Sequence, residues 1–202
     1  MIKVIAFDFG EVLGPDADAF STNFKYLLKS TGLTPEELQS IFNKHWPDLK
    51  IGRKKTLTFW QDVSKKSKNS ISPRELENYY LENIAIYPKV FKLAEDLYKR
   101  GFILVLLSNE TKEWMDFKIR KFKEFGIFTK IYCSAYIKVG KPDKEIFTYV
   151  LKDLNIKPPE LLFIDNQENN ISVTSKMGIN SILFKTPGNL KSEINKILDQ
   201  SS

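Results

Sequence analysis

The first ten residues, Met1-Ile-Lys-Val-Ile-Ala-Phe-Asp-Phe-Gly10, constrain this chain more than any other stretch. Ile2 to Phe7 is a short apolar run, rich in β-branched side chains, that stops at the carboxylate of Asp8. A run so short and continuous reads as a strand buried on both faces, the pattern of a parallel sheet. Gly10 and Gly14 break it within a turn. Open α/β sheets bind ligands at the carboxyl ends of their strands, which is where Asp8 falls. Taken alone, a strand-end aspartate is as easily a loop cap, and the later segments decide.

Residues 11–84 carry no comparable strand signal and read as helices. Phe20, Phe24, Leu27 and Leu28 share a helical face. Thr34-Pro-Glu-Glu37 is a capping box with proline at the first helical position, and Ser72-Pro-Arg-Glu75 repeats it. Between them Leu57, Phe59, Trp60 and Val63 predict a further helix, followed by a polar loop over Lys65 to Ser70. From Tyr87 the pattern changes to strands alternating with helices. Strands are expected at Phe102–Leu107, Ile131–Cys133, Leu161–Ile164 and Ser181–Phe184. Alternating βα units imply a parallel sheet with right-handed crossovers and helices on both faces. The fold class is therefore α/β: a doubly wound, Rossmann-like core over 1–13 and 85–202, with a helical cap over 14–84 inserted after the first strand.

With 202 residues, 42% hydrophobic and 28% charged, the chain has the composition of a globular protein. No apolar run approaches the ~18 residues needed to cross a bilayer. The first strand begins at once, which leaves no room for a signal peptide. The single cysteine, Cys133, excludes an internal disulfide and reads as a small buried residue. A cytoplasmic protein without a membrane partner is expected. A net charge of +6 invites a nucleic-acid reading. The lysines, however, are spread along helices, as at Lys112, Lys118, Lys121 and Lys123, interleaved with acids in what reads as a solvated face. No nucleic-acid partner is expected, and the sequence does not define an oligomeric state.

Four strand ends or following loops carry polar residues: Asp8, Ser108-Asn109, Lys141 and Asp165-Asn166. In a parallel sheet these ends share one edge, so distant residues converge. The residue types suit phosphoryl transfer. One carboxylate attacks phosphorus, and a second joins it in holding Mg²⁺. A hydroxyl and backbone N–H groups bind phosphoryl oxygens, while an ammonium neutralises charge. Lys141 precedes a proline, which pushes it extended and toward the cleft. Asn169 and Asn170 read as helix-start residues.

The segments Phe-Asp8-Phe-Gly-Glu-Val-Leu, Leu-Leu-Ser108-Asn, Gly-Lys141-Pro and Phe-Ile-Asp165-Asn-x-x-x-Asn-Ile resemble the motifs of the haloacid-dehalogenase-like hydrolase superfamily. The subgroup most similar contains the amino-terminal phosphatase domain of soluble epoxide hydrolase and a bacterial α-D-glucose-1-phosphate phosphatase. The resemblance implies Asp8 as nucleophile and Lys141 as its catalytic partner. It also implies Ser108, Asn109 and Lys141 as phosphate ligands. Mg²⁺ would be held by Asp8, Asp165 and the carbonyl of Gly10, with Asn166 as a further candidate ligand.

Two positions depart from that pattern. Most phosphatases of the superfamily carry a second aspartate two residues after the nucleophile, as general acid and base, and here that position is Gly10. Losing such a group typically costs ~10²–10⁴-fold, least for substrates with good leaving groups. Asp16 and Asp18 are candidate substitutes, though a polar turn explains them as well. At 165–166, where many relatives have two acids, this chain has Asp-Asn. His45 is left out of the site, Arg53 and Lys54 read either as substrate-binding groups of the cap or as solvated side chains, and Phe59 and Trp60 read as cap core. The expected function is a Mg²⁺-dependent phosphatase of a small phosphorylated, sugar phosphate-like metabolite, acting through an aspartyl phosphate on Asp8. The alternatives are a catalytically impaired relative that binds a phosphorylated ligand or a protein, and a metal-independent 2-haloacid dehalogenase.

Overall fold

A computed structural model describes residues 1–15 and 22–200; Asp16, Asp18 and Phe20 lie outside the described residues. Five parallel strands form one sheet in the order β3-β2-β1-β4-β5. They are β1 (Val4–Phe7), β2 (Ile103–Ser108), β3 (Lys130–Cys133), β4 (Leu161–Asp165) and β5 (Asn180–Leu183). β1 is central, pairing Phe7 with Leu106 on one side and with Ile164 on the other. The order reverses at β1, so Asp8 emerges at the point where the sheet opens a crevice. Both faces of β1 are covered, which explains its unbroken apolar run. Ile5 and Phe7 join one buried cluster, while Val4 and Ala6 join another on the opposite face. The expected doubly wound α/β fold is what the structure has.

Helices α1 (Thr22–Thr31), α2 (Pro35–Leu49), α3 (Thr56–Lys66) and α4 (Pro73–Asn83) follow β1. Both expected capping boxes form: Thr34 with Glu37 before α2, and Ser72 with Glu75 before α4. These helices bury a cluster of their own around Phe59, Trp60 and Tyr80. Leu57, expected on that buried face, is 41% exposed, because Phe59, Trp60 and Val63 already define the apolar stripe of α3. α3 also runs through Lys66, shortening the expected loop.

The chain leaves β1 and returns through Ala85 along one narrow path. A Cβ on Gly14 would come within 2.6 Å of the Ala85 carbonyl oxygen and 2.7 Å of the Phe9 ring, so glycine is required there. The core then continues with α5 (Pro88–Lys99), β2, α6 (Lys112–Lys121) and β3. Next come the short α7 (Ser134–Ile137), α8 (Lys144–Asp153), β4, α9 (Glu168–Lys176), β5 and α10 (Pro187–Gln200).

α6 ties the sheet to the preceding helices and corrects the reading of its lysines. Lys118 is 2% exposed and pairs with Glu110, itself 3% exposed. Its ammonium also lies 3.9 Å from the centre of the Phe9 ring, a further reason it sits inside. Lys121 donates to the carbonyls of Leu81, Glu82 and Ile84, satisfying the last turn of α4. Trp114 of α6 belongs to the buried cluster of α1–α4, with its ring centre 4.3 Å from that of Tyr80. Neither lysine belongs to a purely solvated face: Lys118 finds its acceptor just before its own helix, and Lys121 finds its acceptors across the interface with α4. Cys133 is buried as expected, and burial pushes its thiol up to about 12. Among the described residues, no helix is long and apolar enough to cross a membrane.

Candidate active site

The register of the sheet sets the site. Phe7 pairs with Ile164, and the Asp8 N–H donates to the Ile164 carbonyl at 2.9 Å, so Asp8 and Asp165 leave adjacent strands side by side. Lys141 lies between them: its Nζ is 2.8 Å from Asp8 Oδ1 and 2.6 Å from Asp165 Oδ2. The lysine is buried. Burial disfavours its charge, but the Asp8 and Asp165 carboxylates outweigh that and hold the ammonium above its ordinary range. Asp8 Oδ1 also accepts from the Phe9 N–H at 2.7 Å, which fixes the plane of the carboxylate.

Asp165 is fully buried and held from several sides. Oδ1 accepts from the Gln167 N–H at 2.7 Å, and Oδ2 accepts from Asn170 Nδ2 at 2.9 Å as well as from Lys141. Asn170 is therefore more than the helix-start residue expected from the sequence, because its amide orients the second carboxylate. The signal was present in the Asp-Asn-x-x-x-Asn spacing, which brings the last Asn back over the strand end by one helical turn.

Ser108 and Asn109, the expected phosphate ligands, stand at the carboxyl end of β2. Ser108 is 2% exposed and is not among the residues that line the pocket, whereas Asn109 is. The Asn109 side chain is directed at backbone. Its Oδ1 accepts from the Lys141 N–H and its Nδ2 donates to the Lys141 carbonyl, both at 2.8 Å. Gly140 makes room for this, since a Cβ there would meet Asn109 Oδ1 at 2.9 Å.

These groups face a pocket of ≈ 270 Å³ lined by Asp8, Gly10, Asn109, Lys141, Asn166 and Asn170, among others. Two lining residues that the sequence reading assigned no role, Phe42 and Trp46, come from α2 and stack with ring centres 5.0 Å apart. Their i, i+4 spacing was legible; that one side of the pair faces the crevice was not. His45 is buried with Nε2 2.8 Å from Asp62, and Arg53 and Lys54 reach Asp48; none of the three lines the pocket. The site thus offers an oriented carboxylate for attack beside a buried cation able to offset negative charge.

This fold and this site are those of a hydrolase family. The family described as haloacid dehalogenase-like hydrolase matches residues 5–184, and the chain belongs to it. Among curated relatives, a phosphoglycolate phosphatase of Mannheimia succiniciproducens is 25% identical, over 89% of this chain and 84% of that protein. An (S)-2-haloacid dehalogenase 4A of Burkholderia cepacia is 23% identical, over 54% of this chain and 47% of that one. The match to drimenol cyclase drtB of Aspergillus calidoustus, 28% identical over 45% of this chain, spans only 17% of that longer protein. A family enzyme from Bacteroides thetaiotaomicron, solved with magnesium and inorganic phosphate, superposes with a TM-score of 0.74. It is 24% identical and covers 92% of this chain and 95% of that one.

The donor set here fits a hard dication. Asp8, Gly10 and Asn166 line the pocket, and Asp165, buried behind it, shares Lys141 with Asp8. Among the described residues no group of three or more His, Cys, Asp or Glu is placed to hold a metal. Two acids with the remaining shell drawn from carbonyl and solvent or substrate oxygens is the arrangement Mg²⁺ favours.

Proposed function

We propose that this protein is a Mg²⁺-dependent phosphatase of a small phosphorylated, sugar phosphate-like metabolite. Asp8 attacks phosphorus, forming an aspartyl phosphate as the ester oxygen departs, and water then cleaves the acyl phosphate and restores the carboxylate. The observation that carries this reading is the buried Asp8–Lys141–Asp165 contact at the wall of one pocket. Lys141 neutralises charge on the phosphoryl group, Asn109 holds Lys141, and Asp165 with the Gly10 carbonyl and Asn166 holds the metal. Ser108 and Asn109 bind the phosphoryl oxygens. Bound Mg²⁺ would supply charge neutralisation for the transferring phosphoryl oxygens. In this reading residues 1–13 and 85–202 form the catalytic core, 14–84 form the cap, and the protein works in the cytoplasm. The curated phosphatase relative and the solved magnesium–phosphate complex support it.

Gly10 favours a second reading, a catalytically impaired relative that retains the phosphate cradle. Dehalogenase relatives favour a third, in which Asp8 displaces halide without metal. One experiment separates all three. Phosphate release is measured from aryl, acyl and sugar phosphates, with Mg²⁺ and with chelator, for wild type and Asp8→Asn. Release that needs both Mg²⁺ and Asp8 is expected. Equal release by wild type and mutant would overturn the catalytic reading, and chelator-resistant halide release from 2-haloacids would replace it.

A further inference from the structure

We propose that the pocket selects phosphomonoesters of small neutral polyols and rejects those with a second anionic group, with Trp46 as the specificity-determining surface. The proposal builds on the phosphatase reading for the phosphate end of the ligand. Its grounds are the charge, shape and size of the rest of the pocket.

Lys141 is the one cation among the described residues that line the pocket, and it is already engaged by Asp8 and Asp165. A carboxylate or second phosphate on the leaving group would find no further cationic side chain among the described lining residues, and would stand near two acids, which is unfavourable. What the pocket offers instead is amides. Asn166, Gln167 and Asn169 can each donate to and accept from a hydroxyl. From α2 comes an aromatic surface: Trp46 is partly buried, and Phe42, 5% exposed, stacks on it with planes 23° apart and holds the indole in place. A flat apolar surface beside neutral amides suits a polyol, whose C–H face packs on the ring while its hydroxyls reach the amides. At ≈ 270 Å³ the pocket lies below the ~300–1,000 Å³ of sites for larger ligands, which disfavours nucleotides.

Calorimetric binding to Asp8→Asn with Mg²⁺ tests the selection without turnover. Glycerol 3-phosphate and 3-phosphoglycerate differ by one hydroxymethyl against one carboxylate. Preference for the neutral ester by about tenfold or more is expected, from the unpaired buried charge. Trp46→Ala is expected to weaken a pentose 5-phosphate at least ~10-fold more than it weakens inorganic phosphate, and Trp46→Phe to recover most of the loss. Trp46→Arg should narrow the gap between the matched pair. Equal affinities, preference for the carboxylate, or a Trp46→Ala loss identical for inorganic phosphate would overturn the proposal. Wild-type turnover keeps the two readings apart. Selective binding without hydrolysis defeats the phosphatase reading and keeps the selection, whereas Asp8-dependent hydrolysis indifferent to charge does the reverse.

Discussion

Asn109 and Lys141 hold each other by two hydrogen bonds of 2.8 Å, one in each direction between the asparagine amide and the lysine backbone. The pair joins the loop after β2 to the loop after α7, and so sets where the Lys141 ammonium stands. Asn109→Ala removes both bonds without touching either carboxylate. Turnover should fall on the order of 10²-fold, the scale on which catalytic groups displaced by about an ångström lose rate. The loss should sit in kcat more than in KM. Steady-state kinetics alongside a melting curve will decide, since a fall in kcat no larger than the fall in folded fraction would remove the positioning role.

Lys141→Met leaves two buried carboxylates facing each other without their cation. Removing one partner of a buried charge cluster typically costs about 3–5 kcal/mol. Repulsion raises the carboxyl values in the folded variant above those in the unfolded chain, so the folded state binds more protons and stability falls as pH rises. The variant should therefore recover stability near pH 4 relative to pH 7. In wild type the sign runs through the lysine. Its folded value lies above the ordinary 10.5, so its contribution is complete below 10.5 and is lost only as pH climbs through the raised value. Denaturant midpoints across pH would expose an error here as a variant penalty that does not change with pH.

Trp114 sits on α6, in the core by sequence, yet its ring packs with Trp60 and Tyr80 from α3 and α4. Trp114→Ala should cost about 3–5 kcal/mol, the usual loss for truncating a fully buried aromatic residue. Because the side chain anchors α6, a helix of the core, in the buried cluster of α1–α4, the wild type should unfold in one transition, and the variant should lose the α1–α4 helices first. Parallel circular dichroism and tryptophan fluorescence melts would show two midpoints in the variant; coincident midpoints would count against the bridging role.

Asp62 of α3 accepts from Lys44 and His45 of α2, and these bonds hold its carboxyl down to about 2. A folded value below the ordinary 3.8 means that its contribution is present above 3.8 and is lost as pH falls toward 2. Asp62 is about one-third exposed, so the pairing is worth about 1 kcal/mol after solvent screening. Asp62→Asn should destabilise the protein at pH 7 and be nearly silent at pH 2. A penalty equal at both pH values would contradict this.

The fold was legible because its signals are local. The five apolar runs, the two capping boxes and the glycine and proline breaks each act within a few residues. Convergence of Asp8, Lys141 and Asp165 was legible too, since parallel strands share one carboxyl edge. What escaped depends on side-chain direction across elements. Nothing in the spacing says that Lys118 turns inward to Glu110, that Asn109 bonds the Lys141 backbone, or that Phe42 and Trp46 face the crevice while His45 between them does not. Those outcomes are set by which partner lies within reach after packing.

Gly10 offers the sharpest chemical test, because it lines the pocket two residues after Asp8 and has no side chain to move a proton. In the phosphatase reading, position 10 itself gives the departing ester oxygen no proton and the attacking water no base. Substrates whose leaving group is stable as an anion suffer least, so acyl and aryl phosphates should be turned over faster than simple alkyl phosphates. Gly10→Asp places a carboxyl where a general acid would act. It should raise kcat for alkyl phosphates by about 10²-fold or more, the scale of one positioned acid–base group, and change acyl phosphate turnover far less. The rate against leaving-group pKa should flatten in the variant. An equally steep dependence in both proteins would mean that proton transfer is not what limits this site.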